Sequence, residues 1–268
     1  MRKLRTLFGI DNYMVSLGYA VRLWKSLFLV FEDPGAELIR HFIPKDGTVF
    51  DIGANIGRFT TFACALVGRK GRVYSFEPLK YPRRVLCHML VLRRLRQVSV
   101  VEAALSNQAG NFTMTIPLKK GKPKASFGYL GKNFGEDAIC ETVRVETMDC
   151  FCAAHKVDRL DFIKCDVEGF EYYCFLGGRA TLERFKPGIY CEVDPKFYRN
   201  KDISVTTLFA LMKELGYHWY LPNTNGMLSE VHDQLETPEK RDYFFIHETK
   251  LQENGLRVAM GLAPERNG

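Results

Sequence analysis

Apolar positions along the chain switch repeatedly between two periods from Thr48 onward. Thr48–Ile52 (TVFDI) is a short, β-branched, apolar run, and Phe59–Val67 then takes helical spacing. Arg72–Phe76 (RVYSF) returns to strand character. Tyr81–Arg94 sets Val85, Met89 and Leu92 along one side of a helix, and Val98–Ala104 reads as a third strand. Such alternation predicts a parallel sheet joined by right-handed crossovers. The rhythm changes over residues 111–146, where Asn111–Ile116 and Thr142–Glu146 read as strands. Between them Lys119–Gly135 holds five Lys, four Gly and one Pro, the composition of a basic loop. After a short helix at Met148–His155 the core rhythm resumes. Leu160–Cys165 is a strand, Glu168–Arg184 a helix and Gly188–Val193 a fifth strand. A helix at Thr206–Leu215 is stopped by Gly216, and Tyr217–Leu221 and Tyr243–His247 are two late strands. The expected organisation is an N-terminal helical extension (1–47), a domain (48–250) with an insertion at about 111–146, and a flexible tail (251–268).

Tyr13–Phe31 is apolar overall but carries Arg22 and Lys25, which makes it a poor membrane span. Val15, Tyr19, Leu23, Leu27 and Val30 follow helical spacing, so an amphipathic helix packed on the domain is expected. The sharper alternative lays residues 13–31 on a membrane surface as a peripheral contact, or over a site as a lid.

Composition narrows the class. With 46% hydrophobic and 26% charged residues in 268, the chain is neither disordered nor fibrous. None of the eight cysteines forms a C-x-x-C pair, so free thiols in a reducing, cytoplasmic setting are expected. The net charge of +7 raises the question of nucleic acid. Part of that charge lies in the Lys119–Lys132 loop and the Arg83–Arg96 helix, which points to an anionic acceptor or surface instead.

The chemistry concentrates at strand ends. Asp51-Ile-Gly53-Ala-Asn55-Ile-Gly57 sits where the first strand meets the first helix. Glycine there lets backbone approach a ligand closely, and a helix start offers free amides. A pyrophosphate cradle would read G-x-G-x-x-G; here the spacing is G-x-x-x-G, preceded by a carboxylate that repels phosphate. That suits a ligand with a positive centre, such as the sulfonium and amino group of S-adenosylmethionine. Glu77 ends the second strand, where an acid accepts hydrogen bonds from ribose hydroxyls.

These features together resemble the class I S-adenosylmethionine-dependent methyltransferases. The block Phe162-Ile-Lys164-Cys-Asp166-Val-Glu168-Gly169-Phe-Glu171, with Tyr190-Cys-Glu192-Val, resembles the FkbM family in particular. The resemblance runs from about Thr48 to His247. It implies an α/β, Rossmann-like, seven-stranded and mostly parallel sheet with an antiparallel last strand and helices on both faces. It also implies that Asp51, Gly53, Asn55 and Gly57 cradle the methionine part of S-adenosylmethionine and that Glu77 takes the ribose. Ala103, Ala104 and Leu105 are carried over as neighbours of the adenine.

Methyl transfer to a hydroxyl needs positioning and a base. Asp166, at the end of the fourth strand, is the leading candidate for the base or acceptor-orienting group. Lys164 falls on the same side of that strand, to hold Asp166 or bind the acceptor. Glu192 ends the fifth strand, to contact the acceptor or to pair with Lys164. Glu168 reads as a helix-start residue and Glu171 as a helix-surface residue. No metal is expected, although Asp166, Glu168 and Glu192 would supply hard oxygen ligands. The expected activity is O-methylation of a sugar, glycan or related metabolite, the acceptor being anionic or lipid-linked. The alternatives are a nucleic-acid (tRNA) methyltransferase, disfavoured by the absence of an N/D-P-P-F/Y stretch, and a non-catalytic scaffold.

Overall fold

A computed structural model describes residues 13–28, 31, 33, 35–119, 122–123, 129–130, 138–198, 203–223, 225–231, 240–251, 256, 260 and 261. The core strands are β1 (Thr48–Ile52), β2 (Arg72–Phe76), β3 (Val98–Val101), β9 (Phe162–Cys165), β10 (Gly188–Val193), β11 (Tyr217–Pro222), β12 (Leu228–Glu230) and β13 (Arg241–His247). They form one sheet in the order β12-β11-β13-β10-β9-β1-β2-β3. β1, β2, β3, β9 and β10 are parallel, and β13 runs antiparallel between β10 and β11. The expected α/β sheet with an antiparallel last strand is therefore present, with an eighth strand at its edge. β12 is a three-residue return after a tight turn in which Asn223 Oδ1 accepts from the amides of Asn225 and Met227. Only Leu228 of β12 is buried, so no apolar alternation announces it.

Helices cover both faces. α3 (Arg58–Val67) and α4 (Lys80–Arg93) lie against one face, where Phe59, Ala63 and Val67 meet Val49, Val73 and Phe162. α5 (Met148–Ala154), α6 (Glu171–Leu176), α7 (Arg179–Phe185) and α8 (Val205–Glu214) lie against the other. Phe151 of α5 packs edge-on against Phe50, Tyr74 and Phe76, ring centroids 4.8–5.7 Å apart. Every residue of β1 is buried, as a central parallel strand requires.

Three local readings need correction. The helix expected over Glu168–Arg184 is two, α6 and α7, separated by Gly177 and Gly178; a Cβ on Gly177 would sit 2.0 Å from the Ser106 carbonyl oxygen. Leu92 is on the exposed side of α4, away from buried Val85 and Met89. The third strand ends at Val101. Ala104–Leu105 (β4) turns into a second sheet with β5 (Gly110–Lys119), β6 (Lys122–Pro123), β7 (Tyr129–Leu130) and β8 (Ala138–Glu146). β5 and β8 pair antiparallel from Gly110↔Val145 to Pro117↔Ala138, so the middle of the chain is a hairpin flap. Met114, Ile116, Val143 and Val145 seat that flap on Leu79, beside the tip of β2. Of the basic loop, Lys120, Lys124 and Lys132 lie outside the described residues, as do Val30 and most of the tail.

At the N-terminus, α1 (Tyr13–Phe28) packs on α4. Leu23 and Leu27 rest on Leu86, Met89 and Leu90, and buried Tyr19 donates to the Arg84 carbonyl (3.1 Å). A short helix α2 (Ala36–Ile39) then leads to β1. All eight cysteines are free, five of them buried. Among the described residues no helix is long and apolar enough to cross a membrane.

Candidate active site

The carboxyl ends of β1, β2 and β9 meet at one cleft, where ligands bind in open α/β sheets. Its walls include Ile52, Gly53 and Asn55 after β1, Glu77 after β2, and Ala103, Ala104 and Leu105 after β3. Asp166, Val167, Glu168 and Phe170 follow β9, and Met114 reaches in from the flap. Six of the eight residues expected to hold a cofactor are therefore on this wall.

Gly53 takes φ +80, and a Cβ there would lie 2.0 Å from the Asp166 carbonyl oxygen. Only glycine lets the β1 and β9 tips close up. Asn55 is also left-handed (φ +51), which turns its amide toward Glu77. Glu77 is buried and accepts from the amides of Asn55 (2.8 Å) and Leu79 (2.9 Å), one on each oxygen. Burial pushes its carboxyl up to about 7 against the pull of those amides. Each oxygen keeps a second lone pair, as ribose recognition requires.

Asp51 and Gly57 are elsewhere. Asp51 is fully buried beneath the loop, on the α3 side of the sheet, where Thr60 Oγ1 donates to its Oδ2 (2.5 Å). Its Oδ1 has no hydrogen-bond partner among the described residues. Burial raises its pKa, opposed by the Lys164 ammonium. Gly57 begins α3 with its Cα beneath Leu86 and Met89, a packing position.

A second cleft adjoins the first and shares Gly53, Asn55 and Asp166 with it. Lys164, Tyr190, Glu192 and Asp242 form its floor, and Arg22, Lys25, Phe31 and Asp33 form its N-terminal wall. The Tyr190 hydroxyl donates to Asp33, which also accepts from the Gly35 amide (2.8 Å), so the N-terminal connection is tied down over β10.

Two of the carboxylates here, Asp166 and Glu192, are paired with lysines. Lys164 Nζ lies 3.0 Å from Asp166 Oδ2. Burial works against the Lys164 charge, but Asp166 and Asp51 hold its pKa above the ordinary lysine value. Glu192 is held by Lys240 (2.6 Å) and not by Lys164, a correction to one of its two expected roles. The cause is register: Lys164 stands opposite Tyr190, whereas Glu192 stands opposite Asp242 on β13, close to Lys240. Glu168 precedes α6 in a left-handed turn (φ +54) and does not start the helix. Burial, then Asp166 and Glu192, push its pKa up to about 8. Glu171 is buried and not on a helix surface; it accepts from the amides of Gly169 (3.0 Å) and Val167 (3.3 Å) and from the Tyr198 hydroxyl (2.5 Å). Oxygens of Asp166, Glu168 and Glu192 lie within 4.8 Å of one another. Lys164 and Lys240 already supply counter-charge to two of these three.

Sequence reasoning did not find Met114, Phe170, Tyr190, Asp33 or Asp242 as wall residues. Only Asp242 carried a signal, an acid at the start of a late strand.

A family model described as the methyltransferase FkbM domain matches residues 51–219. No curated protein matches the chain. Among solved structures, the methyltransferase FkbM from Methylobacillus flagellatus KT is similar at 15% identity and a TM-score of 0.45, over 89% of this chain and 62% of that one. The chain thus spans less than two thirds of that protein's length. A SAM-dependent O-methyltransferase from Thermotoga maritima is similar at 13% identity and a TM-score of 0.43, over 84% of this chain and 71% of that one. A putative rRNA-methylase from Clostridium thermocellum is similar at 12% identity and a TM-score of 0.47, over 81% and 97%.

Proposed function

The chain belongs to the FkbM methyltransferase family, and from that premise we propose that it moves a methyl group from S-adenosylmethionine to a hydroxyl oxygen of a sugar, glycan or related metabolite. The observation that carries this reading is the meeting of two clefts at Asp166, one lined by the loop, Glu77 and Ala103–Leu105, the other by Lys164, Glu192 and Asp242.

The first cleft fits the cofactor. The glycine cradle leaves no room for a Cβ, and Glu77 offers lone pairs at the β2 tip. Ala103 and Ala104, with their small side chains, and Leu105 line the wall assigned to the purine ring. When bound there, the cofactor supplies a methyl group already activated by its sulfonium. Asp51 supports the loop from below through Thr60. Asp166 is placed to take the acceptor's hydroxyl proton, and Lys164 fixes that carboxylate in place. Glu192 and Asp242 offer acceptor oxygens for neighbouring hydroxyls of a polyol.

Isothermal titration of the folded protein with S-adenosylhomocysteine tests the first cleft. Binding that is lost in Glu77→Ala supports the assignment, and no binding by folded wild type removes it.

A further inference from the structure

We propose that the α1–α4 helix pair docks the protein on an anionic lipid bilayer surface. Four of the five large apolar side chains that are exposed among the described residues belong to this pair: Val21 (47%), Trp24 (57%), Val91 (74%) and Leu92 (59%). Scattered apolar residues need no explanation, but this concentration on one packed unit does. The helices are held together by Tyr19, Leu23 and Leu27 and by Arg93, whose Nη2 donates to the Leu27 carbonyl (2.5 Å). The four side chains therefore project from one packed helix pair.

Charge names the occupant. Residues 13–28 and 80–97 contain Arg22, Lys25, Lys80, Arg83, Arg84, Arg93, Arg94 and Arg96 and no Asp or Glu. That is +8 against +7 for the whole chain, which leaves −1 for everything else. Arg83 is committed to Glu102. Lys25, Arg84, Arg93, Arg94 and Arg96 are all exposed. Tryptophan and leucine beside a basic rim match the headgroup boundary, where apolar tips enter and cations meet anionic lipid. Nucleic acid would use the cations but not Val91 and Leu92, and a second copy of the chain would face the same repulsive charge. Because Arg22 and Lys25 also line the cleft beside Asp166, docking through α1 brings that cleft close to the bilayer surface, which favours a lipid-borne acceptor. That corollary rests on the proposed reaction; the docking does not.

The test is co-sedimentation of the full chain with phosphatidylcholine vesicles with and without phosphatidylserine, together with tryptophan emission. Binding to the anionic vesicles, weakened by salt, with a blue shift that Trp24→Phe abolishes, is expected. Each basic residue removed weakens partitioning about fivefold. Arg94→Glu/Arg96→Glu should therefore bind at least about 25-fold more weakly. Val91→Ser/Leu92→Ser should bind more weakly even at low salt, with a smaller Trp24 blue shift at a given lipid concentration. Both variants change exposed positions, and their retained S-adenosylhomocysteine binding separates a docking defect from failure of the methyltransferase reading. No binding to anionic vesicles, undiminished binding in both variants, binding to tRNA without vesicles, or a stable dimer that covers Trp24 overturns the proposal.

Discussion

Replacing Gly53 with alanine perturbs both the backbone and the β1–β9 contact. The position is left-handed (φ +80), which costs an alanine about 1–2 kcal/mol. Its Cβ would also stand 2.0 Å from the Asp166 carbonyl oxygen, so the two tips must part by about 1 Å to reach the shortest tolerated approach of 3.0 Å. Asp166 cannot simply swing away. Its amide donates to the Ile52 carbonyl (3.1 Å) and its side chain is tied to Lys164. With overpacking of about 1–3 kcal/mol added, the total loss is about 2–5 kcal/mol. At about 2–3 °C per kcal/mol for a domain of this size, Tm falls by about 4–15 °C. A displacement of about 1 Å at the reacting group is worth about 100-fold in rate. Gly68→Ala is the control. It is also left-handed (φ +71) but meets nothing within 4 Å, so it loses stability without touching the site. Thermal unfolding and S-adenosylhomocysteine titration should show both variants less stable and only Gly53→Ala impaired in binding. Wild-type affinity in folded Gly53→Ala would refute the reasoning.

Three further outcomes are expected. Asp166→Asn should lower kcat about 10²–10⁴-fold while S-adenosylhomocysteine affinity stays within a few-fold, measured by labelled methyl transfer; an unchanged kcat removes Asp166 as the base. The buried Glu171 carboxyl is raised from 4.5 to about 7, chiefly by burial, so the folded state holds its proton more tightly than the unfolded state. Its contribution is complete below about pH 4.5 and is lost as pH rises through about 7, a change of about 3 kcal/mol. Glu171→Gln, which still accepts from the Gly169 and Val167 amides, should flatten urea-unfolding stability between about pH 5 and 8 by up to that amount; an unaltered pH slope counts against it. Because lysines already balance Asp166 and Glu192, the protein should show no tight Mn²⁺ binding by electron paramagnetic resonance and no loss of S-adenosylhomocysteine affinity after EDTA. Stoichiometric Mn²⁺ binding would instead assign the acidic trio to a cation.

Local pattern alone carried the strand–helix alternation, the glycine turn after β1 and the acid at the β2 tip. Each depends on neighbours in sequence: a period of burial, a left-handed turn, a strand end. Gly53, Asn55 and Glu77 reach the cleft for that reason, and Ala103, Ala104 and Leu105, expected there from the family resemblance, line it as well. Asp51 does not, because period-2 alternation aims it with Val49 at α3, where Thr60 meets it. The site's other half was decided by pairing between distant segments. Glu192 meets Lys240 and faces Asp242 only because β13 enters the sheet antiparallel beside β10, and the Tyr198 hydroxyl finds Glu171 only once β10 lies beside β9. Likewise an alternating strand states which side is buried but not which strand lies next to it or in what register. A helical stripe on α1 states that Leu23 and Leu27 are covered, but only packing on α4 leaves Val21 and Trp24 outward and brings Arg22 and Lys25 to the cleft.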